Sequence, residues 1–476
     1  MTFETVVGLE VHLELATKSK IFCACAAEFG GAPNTQCCPV CTGMPGTLPV
    51  LNEKVVEFAL RAGLALGCDI TRHMKFDRKN YFYPDLPKSY QISQLYLPIC
   101  RNGRLDIRTP AGKKRIRLHE IHMEEDAGKL IHDPLAGFTR ADYNRCGVPL
   151  IEIVTEPDFR SAEEVVAFLE KLKSTLEYLE VSDCKMQEGS MRTDVNLSVR
   201  PAGEAAFGAR TEMKNMSSFK AVSRAVEYEA KRQIEALAAG GGVAQETRRW
   251  DESRNRSFAM RAKENTQDYR YLPDPDLPPI DIDDDWYERV KASLPELADV
   301  KSARYRKAFG LPAYDADMLS AQKAMAEFFE EAVRLGAPPK ATANWIMGDV
   351  FRLLKEKGLA AREMALAPDK LARIIALCGG GALNRHKARE VLAAVFDSNA
   401  DVDAYVSAHG LLQISGEGPI RDAVAKVLAQ NEKSVAEYRD GKAKVFGFLM
   451  GQVMRDMAGK ADPNVIRKIL EGALQP

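Results

Sequence analysis

Residues 273–285 read PDPDLPPIDIDDD, and this stretch separates two kinds of sequence. Proline fixes φ and removes a backbone donor, so the segment is expected to join neither a helix nor a strand ladder, with its aspartates in solvent. Upstream, residues 1–155 run in short β-branched and aromatic stretches cut by Gly and Pro: ETVVGLEVHLEL, KNYFYPDL, SYQISQLYLPI and PLIEIV. These are strand signals, many of them antiparallel. SAEEVVAFLEKLKSTLEYLE is a predicted helix, with Ser161 and Glu164 as a capping box and Val165, Phe168, Leu169, Leu172, Leu176 and Leu179 as its apolar stripe. The strand DVNLSVR (194–200) follows, then a second long helix from about Ser217 to the glycines at 240–242. Downstream, AQKAMAEFFEEAVRLG, ATANWIMGDVFRLLKEKG, PDKLARIIALC and NRHKAREVLAAVF all carry helical periodicity, and a smaller helical piece begins near residue 405.

The predicted fold class is α+β. A large, mainly antiparallel sheet domain (1–290) precedes an all-α helical domain (291–404) and a small helical C-terminal tail domain (405–476). A chain of 476 residues exceeds one ordinary core, in keeping with such a division. Its 66 basic and 67 acidic residues leave a formal charge of −1, so any nucleic-acid surface must be a local patch. The start, MTFETVVGLEVHLEL, does not read as a signal peptide, and no run of about 18 apolar residues suggests a membrane span. Ten cysteines without a secretion signal point to reduced thiols or metal ligation, and to a cytoplasmic protein.

Four of those cysteines form two close pairs, Cys23 and Cys25, then Cys38 and Cys41 in CPVC. Two pairs joined by a short loop suit tetrahedral zinc, each pair spanning one edge, and a site filled by four thiolates is structural. Buried free thiols are the alternative. Cys37 is a fifth candidate, with its side chain expected to point away from Cys38. Cys68, Cys100, Cys146, Cys184 and Cys378 stand alone and read as core or incidental.

Carboxylates recur at strand spacing. In GLEVHLEL, Glu10, His12 and Glu14 share one face and Leu9, Val11, Leu13 and Leu15 the other. In LHEIHMEEDAGK (118–129), His122, Glu124 and Asp126 fall together if extended, with Glu125 opposite; a bulge would exchange the two glutamates. Glu152 interrupts the apolar run PLIEIV, where a lone carboxylate is costly unless paired or bound to a cation. Each segment alone could be a solvated edge. Together, Glu10, His12, Glu124 or Glu125, and Glu152 could converge on an oxygen-rich site suited to magnesium with phosphate. His119 and His122 lack the H-E-x-x-H spacing of zinc proteases. No Gly-Lys pair is followed by Ser or Thr and no G-x-G-x-x-G occurs, so a nucleotide would need another cradle. Arg78, Lys79, Lys88, and the polar strands around Asp194, Asn196, Glu212 and Lys214, are candidates for it.

Ordered blocks along nearly the whole chain resemble the GatB family, one component of the glutamine-dependent aspartyl/glutamyl-tRNA amidotransferases. They include VGLEVHLEL (7–15), CPVCTGMPGTLPVLN (38–52), KFDRKNYFYPDLPKSYQISQ (75–94), HMEEDAGK (122–129), DYNRCGVPLIEIVTEPD (142–158), MQEGSMRTDVNLSVRP (186–201), EMKNMSSF (212–219), DYRYLPDPDLPP (268–279) and GFLMGQVMRDMAGKADP (447–463). The resemblance implies a cradle-shaped catalytic domain that acts on misacylated Asp-tRNA(Asn) or Glu-tRNA(Gln). ATP and Mg2+ would be used to phosphorylate the side-chain carboxylate. Ammonia from a separate glutamine amidase subunit would displace phosphate, with a small third subunit to brace the complex. Carried over by position, Glu10, His12, Glu124, Glu125 and Glu152 would form the catalytic metal site. Lys79, Asp194, Glu212 and Lys214 would hold nucleotide or substrate, and Cys23, Cys25, Cys38 and Cys41 a structural Zn2+. The tail, with Arg439, Lys442, Lys444, Arg455, Lys460, Arg467 and Lys468, would contact tRNA phosphates. Glu120 and His119 depart from the family's pattern, and Tyr143 and Cys146 are minor variants. A noncatalytic zinc-containing tRNA-binding scaffold is the competing reading; a standalone amidase lacks a Ser- or Cys-centred nucleophile.

Overall fold

The structure is a computed structural model that describes residues 2–133, 135, 137–262, 269–413, 417–457 and 461–475. It divides into two compact units, Met1–Leu297 and Ala298–Pro476. Sixteen short and long strands are described in the first unit. In chain order they are β1 Phe3–Glu14, β2 Asp69–Ile70, β3 His73–Met74, β4 Asp77–Asn80, β5 Tyr90–Ser93, β6 Cys100–Thr109, β7 Gly112–Glu125 and β8 Lys129–Asp133. The remainder are β9 Phe138–Asp142, β10 Pro149–Thr155, β11 Met191–Pro201, β12 Thr211–Lys214, β13 Glu246–Asp251, β14 Arg256–Ala262, β15 Leu272–Pro273 and β16 Ile280–Asp281.

Nine strands form one sheet in the order β14-β13-β12-β11-β1-β10-β7-β6-β2. Every neighbouring pair is antiparallel except β12–β13. Period-two alternation splits β1, β7, β10 and β11 cleanly. Leu9, Val11 and Leu13, Ile121 and Met123, Ile151 and Ile153, and Val195 and Leu197 are all almost wholly buried on one face. That face packs on α1 (Glu53–Ala65), α2 (Ala162–Tyr178) and α3 (Phe219–Ala238) through residues such as Val55, Phe168, Leu172 and Val222. Burial of such side chains, at about 1.5–3 kcal/mol each, fixes the register, because a one-residue slip would turn every apolar group outward. The opposite face carries mostly polar alternates on the other strands, and on β10 Leu150 and Val154 flank Glu152 there.

Capping matches the sequence in position and differs in one partner. Ser161 Oγ accepts from the Glu164 backbone N–H at 3.2 Å, but the Glu164 carboxylate accepts from Arg160 N, not from Ser161 N. Ser218 caps α3 by accepting from Ala221 N at 3.1 Å.

The PDPDLPPIDIDDD stretch is not the free linker its prolines suggest. Leu272–Pro273 pairs with β4 and Ile280–Asp281 with β3, each for two residues only. Proline lacks the donor but keeps its carbonyl, so short edge pairing survives. Asp274 is 5% exposed and takes Arg78 Nε at 2.8 Å, while Asp276 takes Arg78 Nη2 at 2.6 Å. Helix α4 (Asp284–Ala292) starts inside the acidic run, capped by Asp283.

The second unit is helical, and its described part holds two separate apolar clusters, one spanning Tyr305 to Val406 and one Ile420 to Leu474. Helices at Lys323–Arg334, Pro339–Trp345, Pro368–Gly379 and Arg385–Val395 fall where the periodicity placed them. A π-helical turn, Ile346–Val350, joins Pro339–Trp345 to Phe351–Lys357. Among the described residues, no helix is long and apolar enough to cross a membrane.

Candidate active site on the open face of the sheet

Three strands carry one row of side chains. His12 on β1 stands opposite Glu152 on β10, and Glu152 stands opposite His122 on β7. One step along, Glu124 of β7 is opposite Leu150. Because the β7–β10 register stays continuous from Ile121 to Glu125, alternation places Glu124 on the open face with His122 and sends Glu125 to the other. His12 Nε2 lies 3.7 Å from Glu124 Oε1 and 3.6 Å from Glu152 Oε2. Ligand atoms of His12, Glu124 and Glu152 all fall within 4.8 Å of one another.

Glu152 is therefore not a stray charge in an apolar run. Burial alone would raise its pKa, but His122 and then His12 hold it well below the usual carboxylate range. The charge of Lys79 acts in the same direction. His122 Nε2 is 3.0 Å from Glu152 Oε2, and its Nδ1 is 3.5 Å from Glu120 Oε1. Burial opposes its charge, yet Glu152, Glu120 and Glu124 keep it protonated well above an ordinary histidine. Glu120, one of the departures from the family's pattern, thus faces an imidazolium. His119 is exposed and takes Glu156 at 3.0 Å.

A second group adjoins the first. Glu10, Asp194 and Glu212, on β1, β11 and β12, bring their carboxylate oxygens within 4.8 Å of one another. Glu10 pairs in register with Asp194, and Asn196 Nδ2 donates to Glu10 Oε1 at 2.9 Å. Burial, then the charge of Glu152, raises the Glu10 pKa. Lys214 lies against Asp194 and sits 3.0 Å from Glu212 Oε1. Burial disfavours its charge, but the two carboxylates outweigh it and hold the ammonium protonated. Thr247 Oγ1 donates to Glu212 Oε2 at 3.0 Å.

Lys79 stands over the Tyr269 ring at 5.0 Å and the Tyr81 ring at 5.8 Å. Burial and neighbouring carboxylates raise both Tyr81 and Tyr271, so these phenols stay neutral. Beyond His12, Asp126 is held ionised against burial by Arg192 at 2.8 Å and Arg145 at 3.4 Å. Burial and the adjacent Asp126 push Glu14 up to about 8.

Glu125 is not brought to either group. It accepts from Ile92 N at 2.9 Å and from Lys88, and lines a cavity of about 100 Å³ with Phe22, Cys23, Cys41 and Tyr90. The thiol cluster lies against this cavity. Sγ atoms of Cys23, Cys25, Cys38 and Cys41 fall within 4.8 Å of one another, and Cys38 and Cys41 are 3.9 Å apart. A tetrahedron with bonds of about 2.3 Å has edges of roughly 3.8 Å, so the donor set fits zinc. Hydrogen bonding from Cys23, aided by the Cys38 N–H and Lys20, lowers Cys41 to about 4 against the effect of burial. Cys37 turns away, its thiol donating to Asn34 O at 3.4 Å. The imidazole and carboxylates of the first group, and the all-oxygen second group, are donor sets suited to a hard divalent cation.

His122, already grouped with Glu124 by alternation, lies in the row, and Arg192, Tyr81, Tyr271 and Thr247 adjoin the two groups without having been named from the sequence. Arg192 had a visible signal, since it continues the polar alternation of its strand. The others did not. Lys460 of the tail lies outside the described residues.

Residues 5–288 match the family model of the GatB/GatE catalytic domain, and residues 327–474 match that of the GatB domain. The chain is 58% identical over 472 residues to the B subunit of aspartyl/glutamyl-tRNA(Asn/Gln) amidotransferase from Lachnoclostridium phytofermentans, covering 99% of both chains. It is 56% identical over 478 residues to the protein of the same name from Caldicellulosiruptor bescii, and 51% over 474 to that of Thermoanaerobacter pseudethanolicus, covering 100% of each.

Proposed function

The chain belongs to the GatB/GatE family, and we propose that it amidates the side-chain carboxyl of Asp-tRNA(Asn), Glu-tRNA(Gln) or both, using ATP. The observation that carries this reading is the row His12–Glu152–His122 beside the carboxylates Glu10, Asp194 and Glu212 on one open sheet face. A carboxylate does not react with ammonia at neutral pH. Attack of its oxygen on the γ-phosphorus of ATP releases ADP and leaves an acyl phosphate. Ammonia then attacks the carbonyl carbon, the carbon–oxygen bond to phosphate breaks, and the ammonium proton is lost to solvent or a nearby base.

His12, Glu124 and Glu152 would hold one magnesium ion, with Glu10, Asp194 and Glu212 as the adjoining donors. When bound, magnesium neutralises phosphate charge and aligns the transferred group. His122 keeps Glu152 ionised. Lys214 limits repulsion between Asp194 and Glu212, and Lys79, on its aromatic seat, offers a cation to phosphate. Tyr81 and Tyr271, whose phenols stay neutral near Glu124, add no charge to the face. Cys23, Cys25, Cys38 and Cys41 would hold a structural zinc ion.

Ammonia comes from a partner glutamine amidase subunit, and the complex includes a small third subunit. We assign the chemistry to residues 1–290, a helical domain to 291–404, and tRNA contacts to 405–476, where Arg439, Lys442, Lys444, Arg455, Arg467 and Lys468 supply positive charge. The test is ATP hydrolysis that depends on misacylated tRNA, in Glu10→Gln and Glu152→Gln. Loss of hydrolysis with tRNA binding retained is expected. Unchanged hydrolysis would leave only a noncatalytic tRNA-binding scaffold.

A further inference from the structure

The open face does not end at Lys214. Lys214 pairs in register with Arg249 on β13, and Arg249 with Phe258 on β14. Thr247, two residues before Arg249, reaches Glu212, so Arg249 and Phe258 lie on the same face as the carboxylates. Asp251 pairs with Arg256, which puts Arg256 there as well. The face thus changes sign along its length: carboxylates on β7, β10, β1 and β11, then Lys214, then a strip of arginines.

Three guanidinium groups surround one ring. Arg249, Arg254 and Arg256 lie 5.8, 5.6 and 4.6 Å from the Phe258 centroid. All three arginines are exposed and Phe258 is half-buried. Among the described residues, none of the three has an ion-pair partner within 4.0 Å. The nearby acids make their hydrogen bonds elsewhere: Asp251 accepts from Ser253 Oγ and Arg254 N in the hairpin turn, where the charges of Arg254 and Arg249 act on it only from beyond contact, and Glu252 takes Arg224 and Ser217. Like charges gathered at one ring repel, and they gain from an anion that meets them together. An aromatic ring ringed by arginines is also what a single strand of nucleic acid uses, with phosphate on the guanidinium groups and a base against the ring.

We infer that Arg249, Arg254, Arg256 and Phe258 bind the single-stranded 3′ end of the acyl-tRNA, leading its terminal ester along the face toward His12 and Glu152. The inference rests on the function proposed above. From β14 to β1 are four strand spacings, about 19 Å, a span that a few nucleotides cover. This polarity keeps the RNA backbone away from the carboxylates, which would repel it, and brings only the acyl end onto them.

The test uses the full chain in complex with its partner subunits. Dissociation constants for misacylated tRNA are measured across a salt series, with the same tRNA lacking its 3′-terminal nucleotides as control. Arg249→Gln/Arg254→Gln/Arg256→Gln is expected to weaken binding of intact tRNA about tenfold and to reduce the slope of log K against log salt by about 2. The corresponding triple lysine variant should retain most of that slope, and Phe258→Leu should weaken binding without changing it. Trimmed tRNA should bind wild type and variants alike, and KM for ATP should not move.

An unchanged slope, or equal weakening on trimmed tRNA, overturns the inference. So does an effect confined to KM for ATP, which would make the strip a nucleotide site. Aggregation of the variants with normal binding would reduce the arginines to protection of the β14 edge. Wild-type complex that binds tRNA through the strip but amidates nothing would sink the proposed function and leave the inference standing.

Discussion

Two of the metal-type donor sets of the first unit are built in opposite ways. Cys23, Cys25, Cys38 and Cys41 come from one loop, and their geometry depends on local backbone. His12, Glu124 and Glu152 come from three strands far apart in sequence, and meet only because β1, β10 and β7 are paired in one register. The first kind of site is a staple that shapes its own surroundings. The second inherits its shape from the whole sheet, so its residues can be changed with the fold left standing.

That contrast can be broken most directly at Glu152. Glu152→Gln should lower tRNA-dependent ATP hydrolysis about 10³-fold, on the order of 4 kcal/mol of transition-state stabilisation, while circular dichroism and tRNA affinity hold. A comparable loss of helical or sheet signal would mean that the row is structural. The staple should respond in the reverse order. Cys41→Ser, or zinc chelation, should lower the melting temperature by roughly 5–10 °C, and activity should fall only as the fold does. Zinc content measured alongside separates ligation from simple thiol packing.

A finer test uses neighbours. Glu124→Gln should cost about 10²-fold in hydrolysis, whereas Glu125→Gln should leave hydrolysis within about 3-fold, since its side chain faces Lys88 and Ile92 on the other side of the strand. Equal losses would mean that the register at the end of β7 is not as described.

The smallest expected effect is a pH dependence at Glu14. Its folded pKa of about 8 lies above the unfolded value, so the folded state binds the extra proton and stability falls as pH rises between the two. Glu14→Gln keeps a donor toward Asp126 and removes that dependence. Its melting temperature should match wild type near pH 5 and exceed it at pH 9. A parallel pair of curves would refute the raised pKa.

The same contrast explains what the sequence disclosed. The thiol set was legible because its spacing is local. Glu152 was legible because a carboxylate among Leu150, Ile151, Ile153 and Val154 demands a partner. Period two gave the shared face of Glu10 and His12, and put Glu124 with His122. What could not be read was which strands are neighbours. Lys214 beside Arg249 depends on a parallel pairing reached through α3, and nothing in TEMK or TRRW specifies it. Asp274 was missed for another reason: proline-rich acidic sequence reads as solvated, yet Arg78 draws it inward.

The central position of β1 sets a timetable for synthesis. It is made well before its two partners, β10 and β11, which begin only at Pro149 and Met191. At about 5–20 residues per second, the Glu10–Asp194 pairing waits roughly 10–40 s after Glu10 is joined to the chain. During that interval an alternating strand with both edges bare must be kept from other strands. Nascent-chain handling should therefore matter most for the first fifteen residues, long before any charge on the open face has a substrate to meet.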